Sequence, residues 1–181
     1  MVVVNLEPLR PAHVPQVLAT MRDPATLRFT RAPDPVPDGW VEQWLTRFDG
    51  HDRHAWAVLD GTGTFVGYAV TGPVDHEGAE VELGYAVAPD ARGRGVATAA
   101  LLAMTRWAFD AGLQRATALV STENPASARV AAKAGYVLEG VLRSVHHRGG
   151  RRVDLQCWSR LPSDPDPTAA GRPGQTPTPH A

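Results

Sequence analysis

The sequence has little cysteine, no long apolar run and almost no net charge, and each shortage excludes a class of protein. Its single cysteine, Cys157, cannot form an internal disulfide, so packing must stabilise the fold, as suits a cytoplasmic protein. We interpret this cysteine as a small buried residue rather than a nucleophile. No segment approaches the roughly 20 apolar residues that span a bilayer, and no basic leader is present, so we expect neither membrane insertion nor secretion. A net charge of -1 gives no general attraction to nucleic acid.

Histidines and clustered basic residues offer two further candidate sites, and both have a structural interpretation. The seven histidines lack metal-ligand spacing, so no metal site is expected. A basic stretch contains Arg143, His146, His147, Arg148, Arg151 and Arg152. Because Gly149-Gly150 in its middle is typical of a hairpin turn, we interpret these charges as a solvated hairpin tip.

The composition, 43% hydrophobic and 20% charged, indicates one globular domain, which we place at residues 1–161. Residues 162–181 contain six of the sixteen prolines and almost no large apolar side chain. Such a segment cannot bury enough surface to offset its ordering entropy. We therefore predict a disordered, proline-rich tail.

Hydrophobic periodicity within the domain predicts a mixed α/β fold. Short apolar runs separated by turn residues indicate strands, and four stretches with helical spacing indicate helices. The predicted strands are 2–6, 55–59, 64–71, 79–88, 115–120, 136–143 and 151–160, and the predicted helices are 13–21, 40–48, 96–111 and 125–134. One strand-helix-strand passage requires a parallel crossover, so we expect a mostly antiparallel, twisted sheet of about seven strands with helices on both faces.

A glycine-rich segment lies between a predicted strand and the helix beginning at Val96. Its residues are Arg92, Gly93, Arg94, Gly95, Val96, Ala97 and Thr98. The first amides of a helix have no intrahelical partner and lie at its positive end, so such a junction can bind phosphate oxygens. The glycines admit a backbone curled around the anion, and the arginines add charged donors. The alternative is an ordinary tight turn. A P-loop and a dinucleotide fingerprint are excluded, since neither pattern is present.

Several motifs in this order resemble the GNAT superfamily of N-acetyltransferases. Arg92-x-x-Gly95-x-Ala97 is similar to its diphosphate loop. The other matching motifs are Glu82-Leu83-Gly84-Tyr85, Asn124-x-x-Ser127, Lys133-x-Gly135-Tyr136-x-x-Glu139-Gly140, and a last strand with Asp154 and Ser159. The combination resembles most the branch of ribosomal-protein N-terminal acetyltransferases. The resemblance implies the acyl-CoA N-acyltransferase fold, with acetyl-CoA (coenzyme A) as cofactor.

The resemblance also implies how the cofactor is held and where a proton is supplied. Backbone amides around Ala86, Val87 and Ala88 would pair with the pantetheine arm and the acetyl carbonyl. Asn124, which by itself indicates a helix N-cap, would contact the same arm. Ser127 would protonate the departing thiolate, although a first-turn hydroxyl can instead bond its own backbone. Many members carry a tyrosine acid four residues later, where this chain has Ala131.

A general base is suggested by strand alternation. Glu80 and Glu82 share one face of the predicted strand, and Glu82 is nearer the acetyl site. We expect Glu82 to accept the amine's proton, with Glu80 contacting the acceptor. Alternatively, both carboxylates point into solvent. Trp40 and Trp44 either line the acceptor pocket or pack in the core.

These residues predict acetylation of a primary amine, with a protein or peptide N-terminus as the favoured acceptor. An antibiotic or polyamine is the competing acceptor and would need an acidic pocket, for which Asp34, Asp38, Glu42 and Asp49 are candidates. A noncatalytic acyl-CoA sensor is the third possibility. We expect a monomer or homodimer without nucleic-acid or membrane partners.

Overall fold

A computed structural model describes residues 2–148 and 150–168 of the protein. Within them lie seven strands in the order β1-β2-β3-β4-β5-β7-β6, of which only β4 and β5 are parallel neighbours. The strands are β1 (Val4–Pro8), β2 (Ala55–Asp60), β3 (Phe65–Thr71), β4 (Glu80–Val87), β5 (Arg115–Ser121), β6 (Val137–Arg148) and β7 (Arg151–Arg160). The predicted mixed, mostly antiparallel sheet is confirmed.

The α-helices are α1 (Val14–Arg22), α2 (Pro24–Leu27), α3 (Trp40–Leu45), α4 (Val96–Asp110) and α5 (Pro125–Lys133). Short α2 has no counterpart among the predicted helices, and α3 ends three residues earlier than predicted. A four-residue helix has no apolar period to detect; Asp23 begins it by accepting a hydrogen bond from the Thr26 amide at 2.9 Å. In the described part of the chain, no helix is long and apolar enough to cross a membrane.

Helices cover both faces of the sheet, as predicted. On one face α4 and α5 pack over β-strand residues such as Val58 and Val81, with Leu101 and Met104 fully buried. On the other face α1 and α3 pack over Tyr68 and Ala86. The site described below lies where β4 passes between these two layers.

The proline-rich segment before α3 packs against the core. Ala32 and Val36 are both 4% exposed and join the core beneath α1 and α3. Arg22 donates a hydrogen bond to the Val36 carbonyl at 3.2 Å. The chain therefore brings α2 and α3 back onto the sheet near β4.

The C-terminal hairpin pairs Arg148 with Arg151, as Gly149-Gly150 in the sequence predicts; Gly149 itself lies outside the described residues. Strand β6 continues five residues beyond the predicted end, because its pairing with β7 resumes after an irregularity between Leu142 and His146. Of the predicted tail, residues 162–168 form turns, with Pro167 next to Gly135. The remainder, 169–181, lies outside the described residues.

Candidate active site

Strands β4 and β5 pair only at their beginnings. The parallel register joins Glu80 with Arg115, Val81 with Ala116 and Glu82 with Thr117, and it stops there. On its other side β4 stays paired with β3 through the whole stretch from Leu83 to Val87. The two strands therefore separate after Glu82 and leave a gap in the sheet.

Main-chain N–H groups of β4 are divided between this gap and β3. The Ala88 amide donates to the Val66 carbonyl at 2.9 Å, so it faces β3. Because successive amides alternate along a strand, Ala86 faces the same side as Ala88, and Tyr85 and Val87 face the gap. The Ala86 and Ala88 amides therefore face β3 and not the gap, contrary to expectation, whereas the Val87 amide stays a predicted cofactor contact.

The glycine-rich segment adopts the geometry that an anion site requires. Gly93 and Gly95 have φ of +74° and +85°, where a side chain would be strained. Helix α4 then begins at Val96 without a side-chain cap. Among the described residues, no acceptor pairs with the amides from Gly93 to Thr98, whereas the next amide, that of Ala99, donates to the Gly95 carbonyl at 3.0 Å. These amides at the positive end of a 15-residue helix can bind a diphosphate.

Arg92 is tied to the start of α2. Its guanidinium forms a short ion pair with the Asp23 carboxylate and donates to Thr26 Oγ1 at 2.8 Å. The hydrogen bond from Arg92 to Asp23 lowers the pKa of the Asp23 carboxyl group below its ordinary value. Arg92 therefore joins the glycine-rich segment to α2, and its predicted contact with phosphate would be shared with Asp23. Arg94 is exposed.

Glu82 lies on the face of β4 that carries α1 and α3. It is exposed, and among the described residues its carboxylate has no hydrogen-bonding or ion-pair partner. Glu80 differs, because its carboxylate contacts Arg115 Nε at 3.2 Å. Glu82 is therefore the free carboxylate of the predicted pair and lines a large cleft of about 1070 Å³ that also reaches the glycine-rich segment.

Ser127 lies on the opposite face of the gap from Glu82, in the first turn of α5. The Asn124 side chain accepts from the Ser127 amide at 3.0 Å, which confirms the predicted N-cap. The Ser127 hydroxyl is 2.9 Å from Tyr85 Oη, on β4. Burial raises the pKa of the Tyr85 phenol, so this group stays protonated at neutral pH. Both hydroxyls line the cleft.

Several of the other motif residues stabilise the sheet beside the gap. Glu139 accepts two hydrogen bonds from Arg115, at 2.7 and 2.6 Å, and one from Ser159 Oγ at 2.6 Å. These donors lower the pKa of Glu139 to about 2. Asp154 accepts from the Ser144 amide at the irregularity in β6. Half-buried Cys157 lies beside Glu139, and burial raises the pKa of its thiol.

Trp40 and Trp44 pack in the core and also line the cleft. Their rings stack at 6.1 Å, Trp44 meets Tyr68 edge-on at 5.7 Å, and both indoles pack against the core beneath α3. These rings form an apolar wall on the Glu82 side.

The charge of the cleft is mainly positive. Among the described residues, eight arginine and lysine side chains line it, against the two carboxylates of Glu82 and Glu123. None of the acidic residues considered for a polyamine pocket is among its lining residues: Asp34, Asp38, Glu42 and Asp49. Asp38 instead pairs with Arg22 at 2.7 Å, and Asp49 accepts three backbone amides of its own loop.

The fold brings together one set of possible metal ligands that the spacing did not indicate. Ligand atoms of His51, Asp52 and His76 lie within 4.8 Å of one another on the surface. Both imidazoles are hydrogen-bonded to Asp52 Oδ1, at 2.7 and 3.2 Å, so the cluster is already held by its own contacts.

A gap between parallel strands beside an uncapped, glycine-preceded helix is the geometry expected of an acyl-CoA site. The family profile described as an acetyltransferase (GNAT) domain matches residues 4–137. The chain belongs to the GNAT acetyltransferase family. A relative from Bacillus subtilis (strain 168), named uncharacterized N-acetyltransferase YoaA, is 35% identical over 79 residues. That alignment covers 43% of this GNAT chain and 45% of the relative, less than half of either protein.

Solved structures share the GNAT fold over nearly the whole domain. Spermidine N-acetyltransferase from Vibrio cholerae, in complex with CoA and spermine, matches with a TM-score of 0.81 and 17% identity, covering 89% of this chain and 96% of that one. RimL, a ribosomal L7/L12 alpha-N-protein acetyltransferase in complex with coenzyme A, matches with a TM-score of 0.75 and 19% identity, covering 88% and 94%. At these identities the likeness concerns the fold, so the acceptor must be argued from the cleft.

The sequence of this GNAT domain did not predict a role for Tyr85 in the site or the cluster of basic side chains that line the cleft. Alternation along β4 puts Tyr85 on the face opposite to Glu82, and this face meets Ser127 across the gap. The Tyr85 hydroxyl, within a row of otherwise apolar side chains, was the signal that could have identified this residue. The arginines of the cleft come from separate loops, from α5 and from β7, so no spacing in the sequence marks them as neighbours.

Proposed function

We propose that this protein transfers an acetyl group from acetyl-CoA to a primary amine, and that the N-terminal amine of a protein or peptide is the acceptor. The observation that carries the proposal is the separation of β4 from β5 beside unpaired amides at Gly93–Thr98. A free carboxylate, Glu82, and a hydroxyl, Ser127, lie on opposite faces of that gap. Acyl transfer to an amine needs one group that accepts a proton from the amine and another that donates a proton to the leaving group.

The residues present fit acetyl-CoA. Amides of Gly93, Gly95 and Val96–Thr98 would hold its diphosphate, and the gap-facing amides of β4 would hold its extended arm. When bound, acetyl-CoA supplies the acetyl group as a thioester. Asn124 is committed to capping α5 through its Oδ1, which leaves its amide NH₂ available to the arm.

Glu82 is the proposed general base. Its carboxylate has no competing partner among the described residues, and it faces the same wall as Trp40 and Trp44, where an acceptor can enter. An α-amino group has an ordinary pKa about 2.5 units below that of lysine, so producing its neutral form at pH 7 costs about 3.5 kcal/mol less. A single exposed carboxylate therefore suits an N-terminal amine better than a lysine.

We propose that Ser127 Oγ, on the face of the gap opposite Glu82, holds the proton for the departing thiolate. Its hydrogen bond to Tyr85 Oη orients it and connects it to a phenol that burial keeps protonated. This pair offers the family's missing tyrosine function from strand β4 instead of helix α5, since Ala131 occupies the usual position on α5. An enzyme is therefore favoured over an acyl-CoA sensor.

A thiol-release assay tests the proposal. We expect release of CoA with N-terminal peptides, and Glu82→Gln should lower kcat by about 100-fold at pH 7, the contribution typical of a general base. Glu77→Gln is the matched control, because Glu77 is exposed and absent from the cleft wall. Affinity for acetyl-CoA without thiol release across peptides, polyamines and aminoglycosides would favour the sensor; unchanged turnover in Glu82→Gln would remove its assignment.

A further inference from the structure

We propose that the acceptor is negatively charged next to its amine, so that this enzyme acetylates acidic N-terminal peptides and rejects polycations. This inference rests on the proposed function and deepens it. It follows from the signs of the side chains on the acceptor half of the cleft, where Glu82, Trp40 and Trp44 lie.

Three arginines that line the cleft have no carboxylate partner among the described residues. Arg31 follows α2, Arg47 follows α3, and Arg53 precedes β2; all three line the cleft. The other cleft arginines with partners show the contrast: Arg28 and Arg151 both contact Glu123, at 3.6 and 2.7 Å. The three unpaired guanidinium groups are therefore available to carboxylates of a ligand.

Elements near Glu82 place two of the three arginines. The residue after Arg53, His54, donates its amide to Thr71 Oγ1 at 2.9 Å, and Gly72 donates to the Glu82 carbonyl at 2.8 Å. Arg53 is thus connected to the main chain at Glu82 through His54 and the adjacent residues Thr71 and Gly72. Arg47 follows the helix that carries Trp40 and Trp44, so the cations surround the apolar wall.

This charge pattern selects the acceptor by its charge. It repels spermidine-like cations and attracts carboxylates that follow an N-terminal amine. Nucleotide phosphates do not account for the three arginines, because the glycine-rich segment and α5, with Arg129 and Lys133, lie on the cofactor side.

Initial rates with matched peptides test the inference. At saturating acetyl-CoA and low salt, we expect kcat/KM for a peptide with acidic residues at positions 2–4 to exceed that of its Asn/Gln counterpart by about tenfold, the combined effect of three exposed ion pairs. The advantage should largely disappear in 0.5 M NaCl. It should also shrink two- to fourfold in each of Arg31→Gln, Arg47→Gln and Arg53→Gln, and remain in Arg143→Gln, an exposed arginine outside the cleft wall.

The outcomes separate this inference from the function on which it rests. Equal kcat/KM for acidic and neutral peptides, or a preference for spermidine or lysine-rich peptides, would overturn the inference and leave amine acetylation intact. Thiol release with none of the amines would overturn both. Melting curves of the three variants identify any loss of activity that comes from unfolding.

Discussion

Replacing Tyr85 by phenylalanine removes one oxygen atom from the candidate active site and leaves the ring in place. That oxygen is 2.9 Å from Ser127 Oγ, a hydrogen bond between two neutral hydroxyl groups. Such a bond contributes about 0.5–1.5 kcal/mol, so its loss from the transition state should lower kcat roughly 2- to 13-fold. Ser127→Ala removes the proposed proton holder itself and should lower kcat by about 100-fold.

The double variant shows whether the two hydroxyls act as one unit. If Tyr85 acts through Ser127, Tyr85→Phe should have almost no further effect in the Ser127→Ala background. The assay is thiol release at saturating concentrations of both substrates. Because burial raises the pKa of Tyr85, the effect of Tyr85→Phe should be constant between pH 6 and 9.

A second tyrosine in this chain provides a matched control. Tyr136 Oη is 2.6 Å from Thr105 Oγ1, a buried hydroxyl pair, and Tyr136 does not line the cleft. Tyr136→Phe should lower the melting temperature and leave kcat unchanged. Wild-type turnover in Tyr85→Phe, or losses that multiply in the double variant, would refute a joint action of Tyr85 and Ser127.

Three further predictions concern stability and the phosphate loop. Acidification from about pH 4.5 to 2 should lower the free energy of unfolding, because Glu139 has a folded-state pKa of about 2 and must be protonated beside Arg115. Glu139→Gln should cost about 1 kcal/mol at pH 7 and flatten this pH dependence in urea titrations. An unchanged pH dependence in the variant would contradict this assignment. Gly95→Ala should cost about 1–2 kcal/mol, because φ is +85°, and raise the Michaelis constant for acetyl-CoA; an unaltered constant would mean that the loop does not bind the cofactor. Arg92→Ala should raise that constant and lower the melting temperature, whereas Asp23→Asn should mainly lower the melting temperature; equal Michaelis constants for the two variants would indicate that Arg92 acts only through Asp23.

Local patterns in this chain were sufficient to predict the sheet, four of the helices that pack on it and the glycine-rich segment. Gly95 at the junction, Asn124 before Pro125 and the alternation of β4 each depend on contacts within a few residues, and the structure agrees with each. The end of α3 was predicted three residues too late, because Phe48 is apolar but lies beyond the helix, where its ring packs edge-on against Trp44.

Sequence by itself therefore determined the class of fold, the family resemblance and the place of the candidate cofactor loop, since backbone preferences and side-chain periods act locally. Only the tertiary structure decided which side chains meet across the cleft. Tyr85 and Ser127 are 42 residues apart, and Arg92 and Asp23 are 69 apart, so their contacts depend on how layers pack and no local period records them. The positive charge of the cleft near Trp40 and Trp44 also depends on tertiary packing, because Arg31, Arg47 and Arg53 come from loops that converge only when α2 and α3 pack on the sheet.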